Sequence, residues 1–434
     1  MDTDQAERLR EHLGYLTEQI GVRLAGTSEE TRAAEYIAGQ FERVGADVWS
    51  ESFSVSSRNV QSEQLELYID GQWKHFASSL LSNTPGTNGR SIEAPLVFFE
   101  APAEKHCRDL SHLTGKAVVH LGSHIESRTS YERLIAAKPA FLLFVDARYP
   151  GDIPLADGMF PAYTRTIGAV PTTSVAFMDA WQWRRSNASA ARLTIDGGMR
   201  HSKSQNICAE LPGNNESAGL ILLGAHHDTQ AHSVGADDNA SGVSTLIELA
   251  HMLAPIPRLR TIRLISFGAE EQLSVGAAEY VRRHREHLQQ YGRLMFNFDS
   301  LSSPLGWNEL ICNGPSSLHR YLLDQFERHN LYARLCSECT PYTDHFPFVV
   351  AGIPAASLSR FNCTSGRFFH HRPDDDLSRV CVTTMIRLIT VASAIIADTV
   401  QQPNLPFDLQ FEPGTKANAE RYWQDLFNGW TDPS

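Results

Sequence analysis

Gly224-Ala225-His226-His227-Asp228-Thr229, followed by Gly235-Ala236-Asp237-Asp238-Asn239-Ala240-Ser241-Gly242, decides the reading of this chain. The run Gly219-Leu220-Ile221-Leu222-Leu223 leads into it and an amphipathic run, Val243 to Leu253, leads out. Small and aliphatic residues, then a loop crowded with His and Asp, then a 3.6-period pattern predict a buried strand, a ligand-rich loop and a helix.

Working outward, strand and helix patterns alternate from Gln205 onward. Strands are predicted at Asn206–Leu211, Leu220–Ala225, Thr261–Phe267, Leu294–Phe298 and Ala355–Leu358, and helices at Val243–Leu253, Val275–Arg285, Ser316–His329 and Val382–Val400. Such alternation predicts a layered α/β fold with a mostly parallel sheet, in which ligands collect at the strand ends. Upstream, Ala6, Leu9, Leu13, Leu16 and Ile20 share a helical face. Thr27 is placed to cap a second helix that runs to Val44, and Ala46–Val55 alternates as a strand. Residues 56–199 have a different texture, with short β-like runs such as Ala117–Leu121 and Phe141–Val145 between Gly-, Pro- and Ser-rich breaks. The predicted organisation is a catalytic domain in two parts, 1–55 and 200–402, a β-rich insert over 56–199, and a tail from 403 to 434.

Composition narrows the function. With 434 residues, 42% of them hydrophobic and 20% charged, the chain has the profile of a globular protein large enough for two domains. A net charge of −12 argues against nucleic acid as a partner, because phosphate binding needs basic surface. No long uncharged apolar run and no signal-like N-terminus are apparent. The expectation is no membrane partner and a cytoplasmic location as the sequence stands, or a secreted or periplasmic one if a signal has been removed. Seven dispersed cysteines, with one CxxC at Cys336 and Cys339, read as thiols before a disulfide framework. Oligomeric state is not legible.

Acids and histidines recur where strands end. His226 and Asp228 follow Leu223, Glu270 and Glu271 follow Phe267, Asp299 follows Phe298, and His370-His371-Arg372-Pro373-Asp374-Asp375 stands near the C-terminus. Singly, each has an ordinary reading as a solvated loop residue or a helix cap. Together they form a His, Asp and Glu set without Cys, suited to one or two borderline-hard ions. Carboxylates at a sheet rim are costly to bury without a cation.

The order HxD, GADDNASG, GAEE, NFD and HxPxD resembles the co-catalytic zinc peptidase family that includes bacterial leucyl aminopeptidase, glutamate carboxypeptidase and glutaminyl cyclase. Arg23-Leu24-Ala25-Gly26-Thr27 and Thr343-Asp344-His345-Phe346-Pro347-Phe348 are also similar to family segments. The resemblance implies a three-layer α/β/α zinc-exopeptidase fold with a mixed, mostly parallel sheet and a protease-associated (PA) type insert. It implies two zinc ions, a peptide substrate and an aminopeptidase activity. A glutaminyl cyclase-like acyl transfer, a carboxypeptidase or dipeptidase, and a non-catalytic relative are the alternatives. Residue by residue, it implies that Asp237 bridges the metals, with a cis bond to Asp238. His226 and Asp299 complete one site, and Glu271 and His371 the other. Glu270 is the base and Asp228 orients His226. His345 and His370 are expected at the substrate pocket.

Overall fold

The computed structural model describes residues 3–431 apart from 102–106, 108, 123–126 and 362–364. All the predicted strands and helices of the catalytic part are present. β8 (Ala190–Leu211), β9 (Leu220–His226), β10 (Thr261–Phe267), β11 (Gly292–Phe298) and β14 (Ala355–Phe361) form its centre. β9, β10, β11 and β14 run parallel, whereas β8 is antiparallel to β10. All seven residues of β9 are buried, as expected of a central strand covered by helices on both faces. Sequence periodicity misses β12 (Trp307–Asn313) and β13 (Ala333–Cys336). β12 pairs antiparallel with β14, which makes the sheet mixed.

One ribbon joins the two halves. β1 spans Asp47–Ile69, well beyond the predicted end at Val55, and pairs with β8 from Asp47↔Glu210 to Tyr68↔Ala190. The Ser-rich stretch after Val55 reads as a break in isolation. In the fold every residue of it has a cross-strand partner except at a bulge between Val60 and Ser62. At its far end β8 also pairs with β4 (Ile92–Glu100). β4 then continues in parallel through β5 (Ala117–Gly122) and β6 (Phe141–Asp146) to β7 (Thr172–Ser174). The insert is thus β-rich. Among the described residues it also carries three short helices, Arg128–Ala136, Pro161–Ile167 and Phe177–Arg185, whose brevity hid them from periodicity.

Burial explains why the insert is not a loose appendage. One core cluster lies wholly between Leu65 and Ile195. A second mixes insert residues such as Tyr131, Phe160 and Tyr163 with Phe267, Tyr280 and Trp423. The helix Val382–Gln401 corrects the expectation that no apolar segment reaches spanning length: it is twenty residues long, and an eighteen-residue stretch of it has mean hydropathy 1.4. Its buried side chains, Leu388, Ile389, Ile395 and Ile396 among them, belong to the main core. Cys336 and Cys339 are free thiols.

One core group makes a pH prediction. His120, on β5, is 3% exposed, stacks on Phe144 at 5.3 Å and has no partner for Nδ1. Burial lowers its pKa to about 4. A histidine depressed in the fold contributes stability that is complete above its unfolded pKa of about 6.5 and lost as pH falls through that value toward 4. His120→Leu should therefore flatten the acid limb of stability by up to about 1.4 kcal/mol per pH unit, one proton's worth. Urea titrations between pH 4 and 6.5 measure it, and parallel curves for the two proteins would refute it.

Candidate metal centre and substrate pocket

Adjacent parallel strands place the first ligands. β11, β9 and β10 are neighbours in that order, with Phe267 opposite His226 and Asn297 opposite Gly224. Strand ends about 4.8 Å apart therefore set Asp299, His226 and the Glu270–Glu271 pair side by side at the C-terminal rim. His226 Nε2 lies 3.6 Å from Asp299 Oδ1 and 3.9 Å from Glu270 Oε2.

The next loop corrects the sequence reading. Asp238, not Asp237, reaches the centre. Its Oδ1 is 3.2 Å from His226 Nε2, and its Oδ2 is 3.0 Å from His370 Nδ1 and 3.5 Å from His371 Nε2. Two sets of donors converge, His226–Asp238–Asp299 and Asp238–His370–His371, and Asp238 belongs to both. Glu271 Oε2 adjoins the second set, 2.9 Å from His371 Nε2. Asp237 points the other way and accepts from Ser302 N (2.7 Å) and Ser302 Oγ (2.5 Å). The cis peptide lies correspondingly one residue on, at Asp238-Asn239. The two aspartates are identical in sequence terms, and only the path of the loop distinguishes them.

Neighbouring groups hold these ligands. Asp375 of the HxPxD run accepts from the backbone N–H of Asp237 (2.8 Å) and Asp238 (3.0 Å), tying the C-terminal loop to the GADDNASG loop. Asp228 approaches His226 Nδ1 at 3.6 Å, but its hydrogen bonds come from the N–H of Glu270 (2.9 Å) and Glu271 (3.2 Å). It thus fixes the glutamate turn at least as firmly as the histidine. That turn is strained, since Ala269, Leu273 and Ser274 all have positive φ (54°, 73° and 46°). Arg23, wholly buried, donates from Nε to His227 O (2.8 Å) and from Nη1 to Val234 O (2.8 Å), clamping the loop between the two motifs.

Of the other predicted residues, Glu270 Oε1 accepts from Ser274 Oγ (3.1 Å). His370 lines the pocket and stacks between Tyr149 and His371, with ring centroids 4.8 and 3.6 Å away. His345 does not line it. Its ring is fully buried, bonded to Thr343 and to Asn313 Oδ1 (3.1 Å), because it starts the short helix Phe346–Val350 and turns into the core. The neighbouring Asp344 is the residue that the Thr343–Phe348 motif could have revealed. It is fully buried beside Ser274, and it faces the charges of Glu270, His226 and Asp299.

The electrostatics call for cations. Burial pushes up Glu270, Asp344 and Asp375, and takes Asp237 to about 6 and Glu271 to about 7. Each of the five also faces another acid. For His226 and His371 burial acts downward, but the surrounding carboxylates outweigh it and hold both well above the usual histidine range. Acids and bases this crowded stay folded only by sharing protons, and divalent ions would replace those protons. Imidazole nitrogens and carboxylate oxygens are the donors zinc takes, so the residues present fit the metal.

The pocket over this centre has a volume of about 320 Å³. Its far wall comes from the insert, as Arg148, Tyr149 and Asp157–Phe160. Sequence reasoning missed all of them, because nothing local marks a loop that folds back across 70 residues or more. Arg148 is spoken for: it forms a bidentate pair with Asp146, Nη2 to Oδ2 at 2.6 Å. Among the described residues the Asp157 carboxylate accepts only from Gly158 N (2.7 Å) and makes no ion pair.

Fold and site together define a metallo-exopeptidase. Residues 206–396 match the model of peptidase family M28. The insert lies outside the matched segment. Aminopeptidase YwaD of Bacillus subtilis is 24% identical over 431 residues, covering 95% of this chain and 89% of that protein. Carboxypeptidase Q of Xenopus laevis is 23% identical over 410 residues, covering 90% and 86%. Among solved structures, a zinc aminopeptidase from Bacillus subtilis superimposes with a TM-score of 0.73 at 21% identity, over 92% of this chain and 95% of that one.

Proposed function

We propose that this protein is an aminopeptidase that hydrolyses the N-terminal bond of peptides with two zinc ions. In this reading Asp238 is shared, His226 and Asp299 complete one ion's ligands, and Glu271 and His371 the other's. The membership of Asp238 in both donor sets carries the two-ion reading. Zinc bound there supplies a water acidic enough to ionise near neutral pH and an electrophile for the scissile carbonyl. Glu270, whose Oε2 lies 3.9 Å from His226 Nε2 at the edge of the first set, accepts the water's proton and returns it to the leaving amine. Ser274 Oγ fixes one of its oxygens, which leaves the other toward the centre. Tyr149 has its phenol pKa raised by burial and so stays protonated, a donor for the developing oxyanion.

Charge on the pocket wall favours an amine over a carboxylate as the recognised terminus. The one Arg or Lys among its described lining residues, Arg148, is neutralised by Asp146, while Asp157 is unpaired. A substrate ammonium meets acids there, and a substrate carboxylate would meet repulsion. Turnover of leucine p-nitroanilide against its N-acetylated form tests this, with a loss of at least about 100-fold expected on acetylation, the size of a lost charge-assisted contact plus steric exclusion. Asp157→Asn should raise KM about 5- to 10-fold at near-constant kcat, as removal of a partly exposed charge pair does. Equal cleavage of the blocked substrate, or preference for a free C-terminal carboxylate, would replace the aminopeptidase reading with a carboxypeptidase one.

A further inference from the structure

A larger groove, about 690 Å³, opens beside the catalytic pocket and shares Gln272 and Leu273 with it as a common wall. Those residues directly follow Glu270 and Glu271, so the groove begins where the acid cluster ends. Its sides come from five places in the chain: β1 at Ser52–Ser56, the insert helix Pro161–Ile167, β8 at His201 and Lys203, and the helices Val275–Tyr291 and Thr415–Phe427. Although the chain carries a net charge of −12, this groove is basic. Arg165, His201 and Lys203 line it with exposed side chains that make no ion pair among the described residues. Arg283 adds a further cation, 39% exposed and only 3.9 Å from its nearest carboxylate, Glu51. Glu279 is the one carboxylate among the described lining residues, and Arg282 Nη1 pairs with it at 2.6 Å.

We infer that this groove binds the C-terminal portion of the peptide substrate and selects peptides with acidic residues two to four positions beyond the scissile bond. The inference rests on the aminopeptidase reading, which puts the substrate's first residue in the 320 Å³ pocket and sends the rest of the chain outward. Carboxylates entering the groove replace water at unpaired cations, whereas the protein's remaining surface repels them. A peptide bearing lysines there meets the opposite field.

The test compares Leu-Ala-Asp-Glu with Leu-Ala-Lys-Lys on the zinc-loaded enzyme and on an Arg165→Glu/Lys203→Glu double variant. Wild type should favour the acidic peptide in kcat/KM by about 10-fold or more at low salt, falling toward parity at about 0.5 M NaCl as exposed charges are screened. The double variant should reverse the preference and gain on the basic peptide, a change that misfolding cannot produce. Equal rates on the two peptides in wild type, or an equal loss on both in the variant, would overturn the inference. Should neither peptide be cleaved, the aminopeptidase reading falls on its own. The groove is then judged by fluorescence anisotropy of a C-terminally labelled Leu-Ala-Asp-Glu: binding weakened about 10-fold by the charge reversals sustains it, and unchanged binding sinks it.

Discussion

Asp238→Asn should abolish peptidase activity, by about 1,000-fold or more, and should lower the zinc content to at most one ion per chain. Asp237→Asn should leave both ions in place. The expectation follows from position. Asp238 offers one oxygen toward His226 and the other toward His370 and His371, so an amide there replaces one of those two oxygens with an NH2 that cannot ligate and removes the negative charge shared between the sets. Asp237 offers its oxygen to Ser302 N and Oγ, away from the centre. Both bonds fall on one oxygen, so an asparagine oxygen in the same place keeps them, as neutral instead of charge-assisted bonds. The cost is therefore in stability, about 1 kcal/mol. Metal analysis after dialysis against zinc-free buffer, with thermal melts of both variants, separates the cases. Loss of metal from Asp237→Asn with retention in Asp238→Asn would restore the assignment implied by the sequence resemblance.

Glu270→Gln should lower kcat by about 1,000-fold, within the range that a positioned general base contributes, while KM changes little and both ions stay bound. Its nearest approach to a donor set is 3.9 Å, to His226 Nε2, and its backbone is held through the N–H that donates to Asp228, a bond that glutamine keeps. Glutamine also preserves an oxygen for Ser274 Oγ. The contrast with Glu271→Gln is the internal control. Glu271 lies 2.9 Å from His371 at the second set, so its replacement should cost metal affinity as well as rate. A Glu270→Gln enzyme that still turned over leucine p-nitroanilide at near wild-type kcat with zinc bound would remove Glu270 from the chemistry.

These two tests mark where the sequence stops being informative. The five strands that carry the centre, and their alternation with helices, are written in local pattern. Buried parallel strands read as unbroken apolar runs such as Leu220–Leu223, and covering helices show a 3.6 period. From that alternation it follows that ligands gather at one rim, so His226, Glu270, Glu271 and Asp299 could be named as a group before any coordinates, while the family resemblance is what implies His371 over His370. The structure does bring them together. Arg23 and Asp375 were quoted as parts of motifs, but their work of pinning loops by hydrogen bonds to backbone atoms is not a sequence property.

Sequence alone determined the class of fold, the rim on which the chemistry sits and most of the residues that meet there, because each depends on periodicity and on the succession of strand and loop. Tertiary structure decided which of two adjacent aspartates faces the centre. Side-chain direction in an irregular loop follows from backbone turns that no period describes. It also decided that His345 belongs to the core, that Asp344 lies buried near the base, and that the pocket is lined by Tyr149 and Asp157 from the insert. The basic groove is of the same kind. Arg165, His201, Lys203 and Arg283 are scattered singly along an acidic chain, and they become one field only where the β1–β8 ribbon carries the insert back over the catalytic sheet.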